Sequence, residues 1–195
     1  QKMLEKILDF PSQLEKSWTS NWVKDLPIAP ESFAKVVIAG MGGSGIAGAL
    51  LLDLFGAKIT RPITVWADYG LPGWADGSTL LIAVTFSGDT EEILNAVTKA
   101  VERKMPIVAI SGGGKLAELS SIKGFPLLKV DYQSSPRAAL GYLYGAVLTL
   151  AAKLRLIDLS EKSYFQAVEE LKKTMAQKTF PAKAEDLAVQ LNNKV

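Results

Sequence analysis

Between residues 35 and 130 the hydrophobic positions gather into short uninterrupted runs, and each run ends in a polar or glycine-rich turn. The runs over 36–39, 63–67, 79–85, 107–110 and 127–130 are apolar and β-branched, the pattern of strands buried on both faces. The stretches 46–55, 91–104 and 116–121 lie between them and have helical composition. Such alternation predicts an α/β three-layer sandwich, a five-stranded parallel sheet flanked by helices. Ligands of these sheets bind outside the carboxyl ends of the strands, which is where this sequence puts its turns.

Helical spacing continues on both sides of the sheet. Leu4, Ile7 and Leu8, then Leu14, Trp18 and Trp22, mark two short helices over 3–10 and 11–22, with Pro11 at a helix start and apolar faces expected to pack on the main domain. Residues 25–32 read as a linker. The apolar segment 138–154 predicts a buried core or interface helix; its uncharged run over 138–152 is shorter than the roughly 20 residues a membrane span needs. An amphipathic helix over 160–175, a break at Phe180-Pro181 and a helix over 182–192 follow. The expected organisation is N-terminal helices in 1–30, the sheet domain in 31–158 and a helical linker in 159–195.

Composition narrows the chemistry. The 195 residues include 22 Lys+Arg and 20 Asp+Glu, a formal charge of +2, so neither nucleic acid nor an anionic membrane is an expected partner. There is no cysteine, hence no disulfide, thiolate metal site or cysteine nucleophile. There is also no histidine, which removes the commonest general base and the commonest transition-metal ligand. Acid–base chemistry must use carboxylate, lysine, tyrosine or a substrate group. Residues 1–10 are charged and amphipathic rather than basic-then-apolar, and a cytoplasmic location is the expectation.

The candidate chemistry sits in the turns. In Gly40-Met41-Gly42-Gly43-Ser44-Gly45 a strand feeds a helix through glycines, so backbone N–H groups approach an anion at the positive end of the helix dipole, and Ser44 adds a hydroxyl. Gly40, Gly42 and Gly45 also satisfy G-x-G-x-x-G, and Asp68 closes the next strand, so a dinucleotide site is an alternative. Two further phosphate-type turns weigh against it, because one pyrophosphate does not need three. In Ser87-Gly88-Asp89-Thr90-Glu91-Glu92 two hydroxyls three residues apart converge on a helix start, and the competing reading is a plain capping box. In Ser111-Gly112-Gly113-Gly114-Lys115 the competing reading is a flexible connection. In Gln133-Ser134-Ser135-Pro136-Arg137 an arginine stands near a helix start, where the dipole disfavours it; it suits a phosphate or a developing enolate oxygen better than it suits the helix.

Together with Asp68-Tyr69-Gly70-Leu71-Pro72 and Pro136-Arg137-Ala138-Ala139-Leu140-Gly141, these turns resemble the sugar isomerase (SIS) domain. More narrowly, the opening turn combined with Pro-Arg-Ala-Ala-Leu-Gly resembles the bifunctional phosphoglucose/phosphomannose isomerase family, over about residues 3–195. The resemblance implies aldose–ketose isomerisation of glucose 6-phosphate or mannose 6-phosphate to fructose 6-phosphate, without metal or nucleotide cofactor. It implies that Ser87, Gly88, Asp89 and Thr90 hold the sugar phosphate and that Gly42, Gly43 and Ser44 line the same site. Ser111 and Pro136 belong with these binding residues, and Arg137 stands near the reacting carbons as the catalytic cation. Family members carry two SIS domains, with the glutamate base and a ring-opening histidine in the second. No position here matches either residue. The resemblance therefore implies the N-terminal half of an isomerase, with 159–195 leading towards a second SIS domain and that domain or a homodimer partner as neighbour. A non-catalytic sugar-phosphate sensor, which needs no base, is the alternative.

Overall fold

The computed structural model describes residues 2–19, 26–132, 134–176, 186–187 and 189–190. In chain order the helices are α1 (Lys2–Leu8), α2 (Phe10–Thr19), α3 (Gly42–Phe55), α4 (Glu91–Glu102), α5 (Gly114–Lys123), α6 (Leu140–Lys153) and α7 (Glu161–Ala176). Strands β1 (Lys35–Gly40), β2 (Ile63–Trp66), β3 (Thr79–Thr85), β4 (Ile107–Ser111) and β5 (Leu127–Lys129) form one five-stranded sheet in the order β2-β1-β3-β4-β5, with every pair parallel. The strand order reverses between β1 and β3. Ligand-binding crevices open at such points, outside the carboxyl ends.

Every residue of β3 and β4 is buried, which explains why both read as unbroken apolar runs. Val37, Ala39, Leu81, Ala83 and Ala109 point to one face and pack with Ile93, Ala96, Val97 and Ala100 of α4 and Leu116 of α5. The opposite face, with Ile38, carries α3. Glycine sets how close that helix comes. A Cβ at Gly45 would stand 2.5 Å from the Gly40 carbonyl oxygen, and one at Gly48 would stand 3.0 Å from an Ile38 methyl. Because α3 uses its glycines for packing rather than for a break, it begins at Gly42, four residues before the expected start at Ile46. The expected helix over 138–154 likewise begins early, as a one-turn 3-10 helix over Pro136–Ala139 that runs into α6.

The compact unit Gln1–Leu159 contains the sheet; Ser160–Val195 forms a second unit, in which α7 carries the ion pairs Lys172–Glu169 at 2.7 Å and Lys173–Glu170 at 2.6 Å. Trp22, Gln133, the Phe180-Pro181 break and most of the helix expected over 182–192 lie outside the described residues; residues 186–187 and 189–190 are helical. Among the described residues no helix is long and apolar enough to cross a membrane.

The turn entering β3 is tied by Asp76. Its Oδ1 accepts the Ser78 hydroxyl at 2.6 Å, the Ser78 N–H at 3.0 Å and the Thr79 hydroxyl at 3.1 Å, and its Oδ2 accepts Lys35 Nζ at 3.2 Å. The Ser78 hydroxyl first, then Lys35, hold its carboxyl down at about 2. A depressed carboxyl stabilises the fold above its unfolded pKa of about 3.9 and loses that contribution as pH falls through the folded value. Asp76→Asn is therefore expected to flatten the decline of the urea midpoint between about pH 4 and pH 2. Parallel midpoint curves for the two proteins would refute it.

Candidate active site

At the point of strand reversal two helix N-termini stand side by side. α3 starts after Met41 and α4 starts after Thr90, and neither N-cap residue supplies a side-chain capping bond. The leading N–H groups of both helices are thus left without a side-chain cap from their N-cap residues, at the positive ends of their dipoles. Ser44 joins the two turns: its Oγ accepts the Phe86 N–H at 3.4 Å, and the residue is only 6% exposed. Ser44 and Ser87 therefore border the same crevice.

The Thr90 hydroxyl does not make the capping box, because it is used elsewhere. It lies 2.7 Å from Thr85 Oγ1, which is also 3.4 Å from Ser87 Oγ and accepts the Gly88 N–H at 3.3 Å. Thr85 is 1% exposed and holds the turn together from beneath. Its signal in the sequence is a hydroxyl ending an otherwise apolar strand, two residues before Ser87, and the motif reading passed over it. Ser87 accepts the Asp89 N–H at 3.3 Å and remains exposed.

The glycine-rich turn after β4 is a brace for this one. A Cβ at Gly88 (φ +79°) would stand 1.8 Å from the Gly113 carbonyl oxygen; one at Gly114 (φ +63°) would stand 2.5 Å from the Ser87 carbonyl oxygen; one at Gly112 would stand 2.7 Å from that of Phe86. The Gly112 N–H donates to the Phe86 carbonyl at 3.0 Å and the Leu116 N–H to that of Gly88 at 2.9 Å. Asp89 Oδ1 accepts the Lys115 N–H at 3.0 Å, which satisfies the start of α5. Ser111 is fully buried, and its hydroxyl donates to the Gly113 carbonyl at 3.0 Å and accepts the Gly113 N–H at 3.2 Å. The flexible connection expected as the alternative is a tightly packed contact.

Pro136 and Arg137 approach from the far side. Their backbone atoms lie 3.9 Å from the place a Gly43 Cβ would occupy. Arg137 is exposed, and its guanidinium has no ion-pair or hydrogen-bond partner among the described residues. Two carboxylates at the mouth, Glu91 and Asp68, are engaged. Glu91 Oε2 accepts the Tyr69 hydroxyl at 3.1 Å, and this bond raises the phenol above its ordinary pKa, so Tyr69 stays protonated at neutral pH. Asp68 Oδ1 accepts the Tyr69 N–H at 2.7 Å, a local turn bond. Among the described residues Ser44, Ser87, Thr90, the glycines and the Pro136-Arg137 turn come together, while Ser111 and Asp89 support them from behind.

No family model matches the chain. Among curated proteins, the bifunctional phosphoglucose/phosphomannose isomerase of Caldicellulosiruptor bescii is 37% identical over 169 residues, 87% of this chain and 50% of its own. The protein of the same name from Pyrobaculum aerophilum is 40% identical over 154 residues, 78% of this chain and 46% of its own. The chain belongs to the bifunctional phosphoglucose/phosphomannose isomerase family. It spans about half the length of the family members it matches. Its fold is that of the phosphosugar-isomerase SIS domain; the C-terminal domain of glucosamine-fructose-6-phosphate aminotransferase from Francisella tularensis, for example, superposes with a TM-score of 0.64 over 98% of this chain and 58% of that one, at 18% identity.

Proposed function

We propose that this chain is the sugar-phosphate-binding SIS half of a phosphoglucose/phosphomannose isomerase. The observation that carries the reading is the pair of uncapped helix N-termini at the strand reversal, with the Ser44, Ser87 and Thr90 hydroxyls gathered between them. A phosphate dianion is the ligand such a cradle suits, because orphan N–H groups, dipoles and hydroxyls all act on one negative group. Gly42, Gly43, Gly88 and Pro136 supply backbone around it, whereas Asp89 and Ser111 hold the turn's shape.

The reaction is aldose–ketose interconversion of glucose 6-phosphate or mannose 6-phosphate with fructose 6-phosphate. A base takes the C2 proton, a cis-enediolate forms, and the proton is returned at C1. Arg137, exposed beside Gly43 and without an ion-pair partner among the described residues, offsets the enediolate charge as it develops. Proton transfer belongs to a second SIS domain, in the same chain or in a second copy, and the compartment is the cytoplasm.

Fructose 6-phosphate at about 100 times its Kd should stabilise the folded protein by about 2.7 kcal/mol, a rise of about 5–10 °C in Tm for a chain of this size. Ser87→Ala with Thr90→Ala should abolish that rise while the ligand-free melt stays cooperative. A double variant that keeps the full shift would move the phosphate elsewhere.

A further inference from the structure

The segment that carries Arg137 is anchored by helices from the other end of the chain. Gln13 of α2 is 1% exposed, and both ends of its amide are used: Nε2 donates to the Ala138 carbonyl at 2.9 Å, and Oε1 accepts the Gly141 N–H at 3.1 Å. Gly141 admits it, since a Cβ there would stand 2.7 Å from Gln13 Cβ. Gln13 Nε2 also reaches the Tyr132 hydroxyl at 3.4 Å, to which Lys6 Nζ donates at 2.9 Å, and that hydroxyl reaches Asp9 Oδ2 at 3.4 Å. Further along, the Ser17 hydroxyl donates to the Tyr142 carbonyl at 3.0 Å, and the Tyr132 and Tyr142 rings lie 4.8 Å apart. The anchors fall on both sides of Arg137. The nearest, the Ala138 carbonyl, belongs to the very next residue.

We infer that Gln13 is a positioning residue for Arg137: it clamps the Pro136–Ala139 turn from behind, so that the guanidinium is presented at the crevice. The inference rests on the proposed role of Arg137. Its physical basis is that a buried amide persists where its donor and acceptor are both satisfied, and here one goes to the Pro136–Ala139 turn and the other to the first turn of α6 that follows it directly. Without them the turn keeps the Ala138 N–H to Ser135 carbonyl bond at 3.0 Å, which closes the turn and fixes its direction to nothing else. A wandering arginine loses the pre-organisation that makes an electrostatic contact effective.

The test compares two ligands on the same chain by calorimetry. Inorganic phosphate probes the Ser87–Thr90 cradle. 5-Phosphoarabinonate adds a carboxylate where the enediolate charge develops, and so probes the arginine as well. Arg137→Ala and Gln13→Leu should each weaken 5-phosphoarabinonate about tenfold and leave inorganic phosphate within about twofold. The double variant should bind no more weakly than Arg137→Ala alone, because Gln13 acts through the arginine. Gln13→Glu keeps the acceptor for Gly141 and loses the donor to Ala138, and its loss should be intermediate; it also serves if the leucine variant does not fold. Additive losses, or equal weakening of both ligands, would make Gln13 a merely structural residue and overturn the inference. Unchanged affinity in the Gln13 variants, with a loss in Arg137→Ala, would overturn it too. Unchanged affinity in Arg137→Ala would instead overturn the assignment of the arginine, and this inference with it.

Discussion

Fructose 6-phosphate incubated with the 195-residue chain will remain fructose 6-phosphate. Abstraction of the C1 proton from this ketose, ahead of its return at C2, needs a base within roughly 2.6–3.2 Å, or one water away, in a free and suitably basic state. Two carboxylates around the crevice are spent on structure: Glu91 holds the Tyr69 hydroxyl and Asp89 holds the Lys115 N–H. That leaves Glu92 in the first turn of α4, with no hydrogen bond among the described residues, as the one to re-examine if turnover is seen. Tyr69 is driven towards its neutral form, and the chain has no histidine to open the sugar ring. A positioned acid–base group contributes about 10²–10⁴-fold, so the lack of two leaves little above background. Coupled detection of glucose 6-phosphate checks this, and turnover above about 1 s⁻¹ would mean that the base is already here. Joined to a second SIS domain that brings a glutamate and a histidine, the same chain is expected to turn over.

The largest effect on stability is expected from Gly88→Ala. A left-handed residue other than glycine costs about 1–3 kcal/mol, and forcing a methyl into filled space costs about 1–3 more. Here φ is +79° and the new Cβ would stand 1.8 Å from the Gly113 carbonyl oxygen, so both apply at once. A loss of about 3 kcal/mol or more, read as a fall in Tm of at least about 6 °C, should come with loss of the phosphate-induced thermal shift. Gly73→Ala is the control, because nothing lies within 4 Å of its Cβ position. Equal melting curves for the two variants would show that the turns do not interlock.

What the sequence made legible follows from the range of the forces involved. A buried parallel strand must be apolar on both faces, so β1, β3 and β4 are visible as runs of Val, Ile, Leu and Ala, and the half-buried edge strands β2 and β5 as shorter apolar stretches, with boundaries within one or two residues. The turns at their ends are equally local, and Ser44, Ser87 and Thr90 fall where the spacing put them. For Gly112, Gly113 and Gly114 neither a phosphate turn nor a flexible connection describes the close packing they make, because a glycine needed for close approach looks the same as one needed for freedom until its neighbour is known. Thr85 escaped notice as part of a strand, although its hydroxyl organises the turn. Gln13 was out of reach altogether, since nothing near it in the chain explains a buried amide on α2.

That last contact also sets an order of events. Gln13 and Gly141 are 128 residues apart in sequence. A ribosome adding about 5–20 residues per second takes roughly 6–25 s to pass from one to the other. Throughout that interval α1 and α2, at 7 and 10 residues, are shorter than the ~12–15 residues at which isolated helices become even marginal, so they wait as nascent chain with nothing to grip. The arginine turn is therefore the last part of the crevice to mature during synthesis, and a chain halted before Gly141 carries a sheet and its phosphate turns but no fixed cation.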